Sequence, residues 1–524
     1  MKKIIYPLIC ATLLSIASCD SFLDEAPKSD LTLKQFYQTE AQATANVNRL
    51  YWQGVVKCYA DGSGAYLGPK ATIPGMLTGY FINSYEGQEI VCKYARELTR
   101  QENPSTLAGT VKDMWDPCYE AINVANGAIT YIPGIDMGDA VRTKLMGEAR
   151  FFRAFNYFYL VKTFGAVPMT TEPYESLEDE DRFYQKRASV DSLYQLIESD
   201  LKEAVEALPA VKFAENGHHA TKFSAAMLLA NVYLQQGKYA DAAKYAKIVI
   251  DSSHSLTQND DLAMNSAYNK LRAIDDLDES IYAVEFNESI RSSSWWPTYS
   301  FDAKGASVFN KYAIFTRVYG PTKRFLNIYK EDDLRIQPNQ FFHWAYKNPL
   351  TGKEWISESD EANCWYYYDE NALLNTGKGT KDVNLFRYAE ALLVGAESIA
   401  QSTGVTAEAA QYLGEIKARA DMNGKTADQY ATELQGLSKD AFIQECWTER
   451  LREFPLEFKI WDDCIRTGKF PNISETEKGK ITYVTLVGAT NGSDKIFQES
   501  DLLWPISIDE IQRNPELTQN PGYE

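Results

Sequence analysis

The chain reads as a mostly α-helical protein, a tetratricopeptide-like helical-repeat scaffold carrying large irregular, loop-rich insertions with a few short strands. Three observations predict this. First, between Ala220 and Ile250 apolar residues recur at three- and four-residue steps: Phe223, Ala226, Met227, Ala230, Tyr233 and Leu234, then, after Gly237, Tyr239, Ala242, Ala243, Ala246 and Val249. That rhythm describes a helical hairpin, with small residues at Ala226, Ala230, Ala242 and Ala246 for close approach and Gly237 free to take the positive φ of the turn. Leu229, Ala230, Tyr233 and Ala242 also follow much of the tetratricopeptide pattern, although Ala246 stands where that pattern has an aromatic residue. Second, the same periodicity recurs in separate stretches on both sides; one hairpin cannot bury its apolar face alone, so these should stack on it. Third, more than a hundred residues beyond Ser252 lack the rhythm and are rich in Gly, Pro, Asn and aromatics.

At the N-terminus, Lys2 and Lys3 precede an apolar run from Ile4 to Ala17, and the small residues Ala17 and Ser18 stand directly before Cys19. These features make residues 1–18 an export signal, its apolar run too short to span a bilayer comfortably. Ile16-Ala17-Ser18-Cys19 resembles a bacterial lipoprotein leader, which implies cleavage before Cys19 and acylation of that residue. Residues 19–32 then form a polar, extended tether containing Pro27. No other stretch is long and apolar enough to cross a membrane, so the expectation is a chain outside the cytoplasm, held by its lipid.

Residues 33–252 form an N-terminal helical-repeat region. Helices are predicted from Leu33 to Val56, Met114 to Ile132, Lys144 to Thr163 and Val190 to Leu208, followed by the hairpin. Gly165 with Pro168, and Pro209, end two of them. Within this region residues 61–86 break the pattern with Gly, Pro and aromatics and predict a long ordered loop of the kind that carries function.

Residues 253–382 are the loop-rich insertion and the predicted ligand-binding region. Ile281 to Phe286 reads as a short strand, followed by the aromatic stretches SIRSSSWWPTYSF, QFFHWAYK, EWISES and NCWYYYDE. Residues 383–524 return to helices, predicted at Val383 to Gln401, Ala407 to Ala420, Lys439 to Arg452 and Leu456 to Arg466, before an irregular closing segment. Gly404 precedes Ala409 as Gly237 precedes Ala242, which predicts a second hairpin of the same kind.

The formal net charge of −19 repels phosphate backbones and argues against nucleic acid. Beyond Cys10 in the leader and Cys19, the cysteines Cys58, Cys92, Cys118, Cys364, Cys446 and Cys464 form no C-x-x-C arrangement, and each is read as a buried small hydrophobe. His218, His219, His254 and His343 lack metal-ligand spacing, Asp275 to Glu279 lacks the glycine of an EF-hand loop, and no nucleophile-elbow, phosphate-loop or zinc-protease motif occurs. No catalytic residue, metal or cofactor is therefore assigned.

Aromatic residues make up 13% of the chain, with 33 Tyr and 10 Trp. A pyranose ring packs its C–H face on indole or phenol, while its hydroxyls need Asn, Asp, Glu or Arg partners. Trp295, Trp296 and Tyr299 with Arg291 meet that description, Pro297 stiffening the loop; the early loop offers Tyr66, Tyr80, Asn83, Tyr85 and Glu86, and a third cluster holds Trp344, Trp355 and Trp365. The alternative for each ring is that it closes the insertion's own small core. Trp295 and Trp296 are expected to face solvent, because adjacent bulky residues in an extended loop cannot readily both point inward.

The leader with Cys19-Asp20-Ser21-Phe22-Leu23-Asp24, the block EARFFRAFNYFYLVKTFGAVP, the hairpin, FRYAEALLVGAE, and the ending with Asn514-Pro515 and Gln519-Asn520-Pro521-Gly522-Tyr523 together resemble the SusD/RagB family of Bacteroidetes. One departure stands out. Where the family shows a Glu-x-x-Glu-Gly-x-Arg run, this chain has Glu453 to Lys459 with Gly and Arg replaced. The resemblance implies a non-catalytic outer-membrane lipoprotein at the cell surface that captures oligosaccharides and passes them to a SusC-like TonB-dependent transporter. Its alternatives are a peptide-capturing lid of the same kind of importer and a protein-only scaffold.

Overall fold

Helices form where the apolar rhythm places them, and they stack in chain order. In the computed structural model of the protein, which describes residues 36–60, 70–85, 90–174, 184–287, 295–300, 305–309, 317–357 and 361–523, the N-terminal region holds six helices of more than one or two turns. They are α1 Glu40–Asn48, α2 Pro104–Tyr131, α3 Asp139–Phe164, α4 Val190–Ala207, α5 Lys222–Gln235 and α6 Tyr239–Ile250. After the insertion come α7 Tyr388–Thr403, α8 Ala407–Ala420, α9 Ala427–Gln435, α10 Lys439–Glu453 and α11 Ile460–Thr467. From α2 to α9 each packs on its chain neighbour, and α6 packs on α7 across the insertion. The insertion therefore leaves the stack and returns to it without breaking it.

The α5–α6 hairpin shows why. The Thr221 hydroxyl accepts the Ser224 N–H and the Ser224 side chain answers the Thr221 N–H, a capping box that starts α5. Gly237 takes φ +69° and lets the Lys238 N–H reach the Tyr233 carbonyl, closing the helix. Ala226, Ala230, Ala242 and Ala246 are fully buried between the two backbones.

Four predicted boundaries are corrected. The helix expected from Leu33 to Val56 breaks into α1, a tight turn at Arg49–Tyr51 and one helical turn at Val56–Tyr59. Gly54 causes the break: at φ +72° it approaches Asn156 so closely that an added Cβ would lie 2.2 Å from Oδ1, and the same oxygen accepts the Val55 N–H. The helix placed at Met114 begins at Pro104, whose missing N–H is harmless in the first turn. Val383–Arg387 is a strand, not the start of α7. The helix placed at Leu456 begins at Ile460.

That strand, β2, pairs antiparallel with β1, Ser280–Val284, which matches the strand expected at Ile281 to Phe286. The remaining described strands are short antiparallel pairs, such as Ala345–Lys347 with Glu354–Ile356 and Lys469–Ile473 with Ile481–Thr485. Arg387, at the end of β2, is fully buried and contacts the carboxylates of Glu279, Glu453 and Glu457, while Arg419 bridges Glu279 and Glu453. This charged knot ties the strand pair to α8 and α10. Charges removed from water in this way persist only when each is matched.

The closing segment is irregular apart from a turn at Glu499–Leu502 and a short helix at Ile508–Arg513. It folds back on the N-terminal helices: the Trp504 backbone N–H donates to the Thr163 carbonyl, and the buried Asn520 side-chain amide donates to the carbonyls of Phe164 and Trp504. Cys58, Cys92, Cys118, Cys364, Cys446 and Cys464 are buried free thiols, as expected. Among the described residues no helix is long and apolar enough to cross a membrane.

Candidate functional site

The expected solvent-facing platform is largely turned inward. Trp296–Tyr299 forms a single helical turn instead of an extended loop, so Trp296 and Tyr299, three residues apart, share one face and both pack inside. Trp296 is 2% exposed and Tyr299 3%. Trp295 remains half-buried, with the Lys378 Nζ 5.1 Å from its ring centre. Arg291 lies outside the described residues.

The early loop is corrected in the same sense. Over residues 70–85 it is a tight turn, a helical turn at Ile73–Met76 and a strand at Phe81–Ile82 pairing with Gly320–Pro321. Tyr80 is fully buried, stacks on Phe470 at 5.4 Å, and donates its hydroxyl to the Pro471 carbonyl at 2.6 Å. Asn83 is buried, its Oδ1 accepting the Tyr85 N–H. Tyr66 and Glu86 lie outside the described residues. In the third cluster, Trp365 is buried against Tyr368 at 4.0 Å with its N–H on Asn269, and Trp355 stacks on Tyr346 beside the small core of Val308, Phe309 and Leu373. Those two rings close the insertion's own core; Trp344 is half-buried against the main core.

Although Trp296 is interior, it forms the wall of a narrow cleft open to solvent, together with Pro297, Tyr366 and Tyr367. Its ring stacks on Tyr367 at 4.3 Å and on Phe458 at 5.5 Å. Its indole N–H, buried, meets no acceptor among the described residues. Buried donors are almost always paired, so such a group in a cleft wall is poised for an external acceptor.

Lys381, Asp382 and Asn384 form the opposite, polar edge. Asn384 Oδ1 accepts from Ser280 while its Nδ2 makes no hydrogen bond to a described residue. Asp382 accepts the Phe286 N–H. Burial and the neighbouring Asp275 push its carboxyl up to about 7, so near neutrality it can accept or donate. Burial and the charges of Asp382, Asp276 and Asp275 push Glu285 further, to about 9. The cleft thus offers aromatic faces, one unpaired N–H, one free amide and a carboxyl. That set matches a ligand with an apolar face and hydroxyl edges.

Tyr366, Tyr367, Phe458, Asp382 and Asn384 were not singled out by sequence reasoning. The NCWYYYDE stretch carried a signal for the two tyrosines. Nothing local marked Asp382 or Asn384, which reach the cleft only because β2 pairs with a strand a hundred residues earlier. His218 is paired with Asp276 and His219 with Glu148, and among the described residues no cluster has the makings of a metal site.

The helical stack with its aromatic insertion defines a tetratricopeptide-like scaffold protein. Residues 316–523 match the family model described as SusD family, and residues 21–234 match the one described as starch-binding associating with outer membrane. The chain belongs to the SusD/RagB family. It is similar to SusD-like protein P2 of Formosa agariphila, 25% identical with 98% of each chain covered. Among solved structures it resembles a SusD superfamily protein from Parabacteroides distasonis, with TM-score 0.79, 25% identity and 92% and 99% of the two chains covered. Surface glycan-binding protein A from Bacteroides thetaiotaomicron, solved in complex with laminarihexaose, shares the fold at TM-score 0.71 and 18% identity, covering 92% of this chain and 100% of that one.

Proposed function

We propose that the protein is a non-catalytic, cell-surface glycan-binding lipoprotein, anchored in the outer membrane through Cys19. It captures oligosaccharides at the Trp296 cleft and delivers them to a SusC-like TonB-dependent transporter. The observation that carries the glycan reading is the unpaired, buried Trp296 N–H in an aromatic wall facing the free Asn384 amide. The starch-binding description of the family model and the glycan complex of the structural relative support it.

Titration calorimetry with maltohexaose and laminarihexaose tests the reading. Trp296→Phe keeps a ring and removes the N–H, so it should weaken binding about five- to tenfold, the worth of one hydrogen bond. Unchanged affinity in Trp296→Phe and Asn384→Ala together would move the site elsewhere. Release of labelled lipid with Cys19 and co-purification of a large barrel partner test the anchor and the delivery step.

A further inference from the structure

Between α8, α9 and α10 the helical stack opens. α9 packs on α8 while α10 packs on α7, and residues 330–335 with Gly479 bound the other side, leaving an open groove of about 530 Å³, within the range of ordinary small-ligand sites. It shares no lining residue with the Trp296 cleft. Five cations and six carboxylates line it, so opposite charges nearly cancel and little net pull on an ion is left.

The floor of the groove is a set of charged groups held slightly apart. Arg452 is 7% exposed; its Nε donates to the Ile328 carbonyl at 2.8 Å, but its Nη1 makes no hydrogen bond to a described residue and stands 3.5 Å from Glu449 and 3.8 Å from Glu445. Lys417 meets Glu445 directly and lies 3.7 Å from Glu449. Glu449 is 1% exposed and its charge is met by Arg335 at 2.7 Å, yet neither of its oxygens accepts an aligned hydrogen bond from a described residue. The longer separations exceed a direct hydrogen bond and suit a third group between the partners. Beside this floor Tyr430, Leu434 and Leu437 run along one side of α9 and the turn that follows it, an apolar strip whose Leu437 is 37% exposed.

We infer that this groove is a second carbohydrate site, taking a neutral oligosaccharide segment and distinct from the cleft at Trp296. A sugar hydroxyl donates and accepts at once, so one hydroxyl set between Arg452 and Glu449 or Glu445 completes both partners, where an ion would satisfy one and repel the other. The strip on α9 receives a C–H face of the ring. At the rim the exposed Lys330 and Asp332 add one charge of each sign. The inference rests on the glycan-binding reading above.

Calorimetry and hydrogen exchange on the whole protein with maltohexaose and laminarihexaose test it. Two sites per chain are expected for one of the two sugars, with the bound sugar slowing exchange across residues 417–437. Glu445→Ala should weaken one site about tenfold, the worth of one hydrogen bond to a charged group, and Leu437→Ser should weaken the same site. Leu437 is half in solvent, so its variant keeps the fold and reads the groove whatever Glu445→Ala does to stability. Trp296→Phe should weaken only the other site and leave the protection of 417–437 in place. A single site without protection of 417–437 overturns the groove and leaves the cleft standing. Tighter binding there of oligogalacturonate or of a glucosamine hexamer overturns the neutral-ligand assignment. Absence of binding by the unsubstituted protein to both neutral sugars overturns the glycan reading, and the groove with it.

Discussion

The ring of Phe458 stacks on that of Trp296 with centres 5.5 Å apart and planes 27° from parallel, while the backbone beneath it holds φ at +63°. The contact and the strain belong to the same residue. Glycine would relax the backbone and lose the ring; alanine would keep the strain and lose the ring. Phe458→Gly should therefore be more stable than Phe458→Ala by about 1 kcal/mol, the usual penalty for a side chain in that conformation. Urea unfolding of the two variants measures the difference, and equal midpoints would show that the strain is illusory.

Arg387 faces three carboxylates with no exposed surface. Arg387→Met keeps the bulk and leaves Glu279, Glu453 and Glu457 with one cation fewer among them. A loss of about 3–5 kcal/mol is expected, typical of breaking a buried ion pair from one side. Thermal melts followed by circular dichroism suffice to check it; a midpoint within a degree or two of the parent's would contradict the knot's structural role.

Stability should fall on both sides of mildly acidic pH. Burial opposes ionisation of Glu449, but Arg335, Lys417 and Arg452 outweigh it and hold that carboxyl at about 2. A depressed folded-state pKa adds stability that is present above the unfolded carboxylate range and lost as pH falls through about 2. Asp382 and Glu285 act in the opposite sense. Their folded values of about 7 and about 9 mean that the folded state holds protons the unfolded chain has released. Their contribution is present below the ordinary carboxylate range and lost as pH rises through 7 and 9. Melting temperature between pH 5 and 9 should decline, and Glu285→Gln with Asp382→Asn should flatten that decline.

Tyr80 donates to the Pro471 carbonyl and accepts the Ile473 N–H at 3.3 Å, both across to the strand Lys469–Ile473. Tyr80→Phe leaves those buried groups without their partner and should be destabilised by about 1–3 kcal/mol, with sugar binding unchanged because the ring stays inside. A selective loss of binding at full stability would return Tyr80 to the ligand.

The helical scaffold was legible because its signal is local. The periodicity of Lys222 to Ile250 depends on residues three and four apart, and α8 was placed at Ala407–Ala420 from that pattern alone. Failures came where a distant partner decides. Val383 to Arg387 carries apolar residues compatible with either period, and only Ser280–Val284 makes it a strand. Gly54 reads as an ordinary glycine until Asn156 is set against it. The rings of the insertion were visible by composition, but their direction was not. Trp296 turned inward because Pro297 starts a helical turn there, and its place in a cleft wall followed from Tyr367 and Phe458, far away in sequence.

The return of the closing segment onto α2 and α3 has a consequence for truncation. Arg100 donates to the Asp501 carbonyl, Arg187 to Asn520, and Trp504 lies under the Arg100 guanidinium. Helices early in the chain are thus latched by residues some four hundred positions later. A chain cut before Leu502 would keep those helices without their latch and should be digested by protease faster than the whole protein.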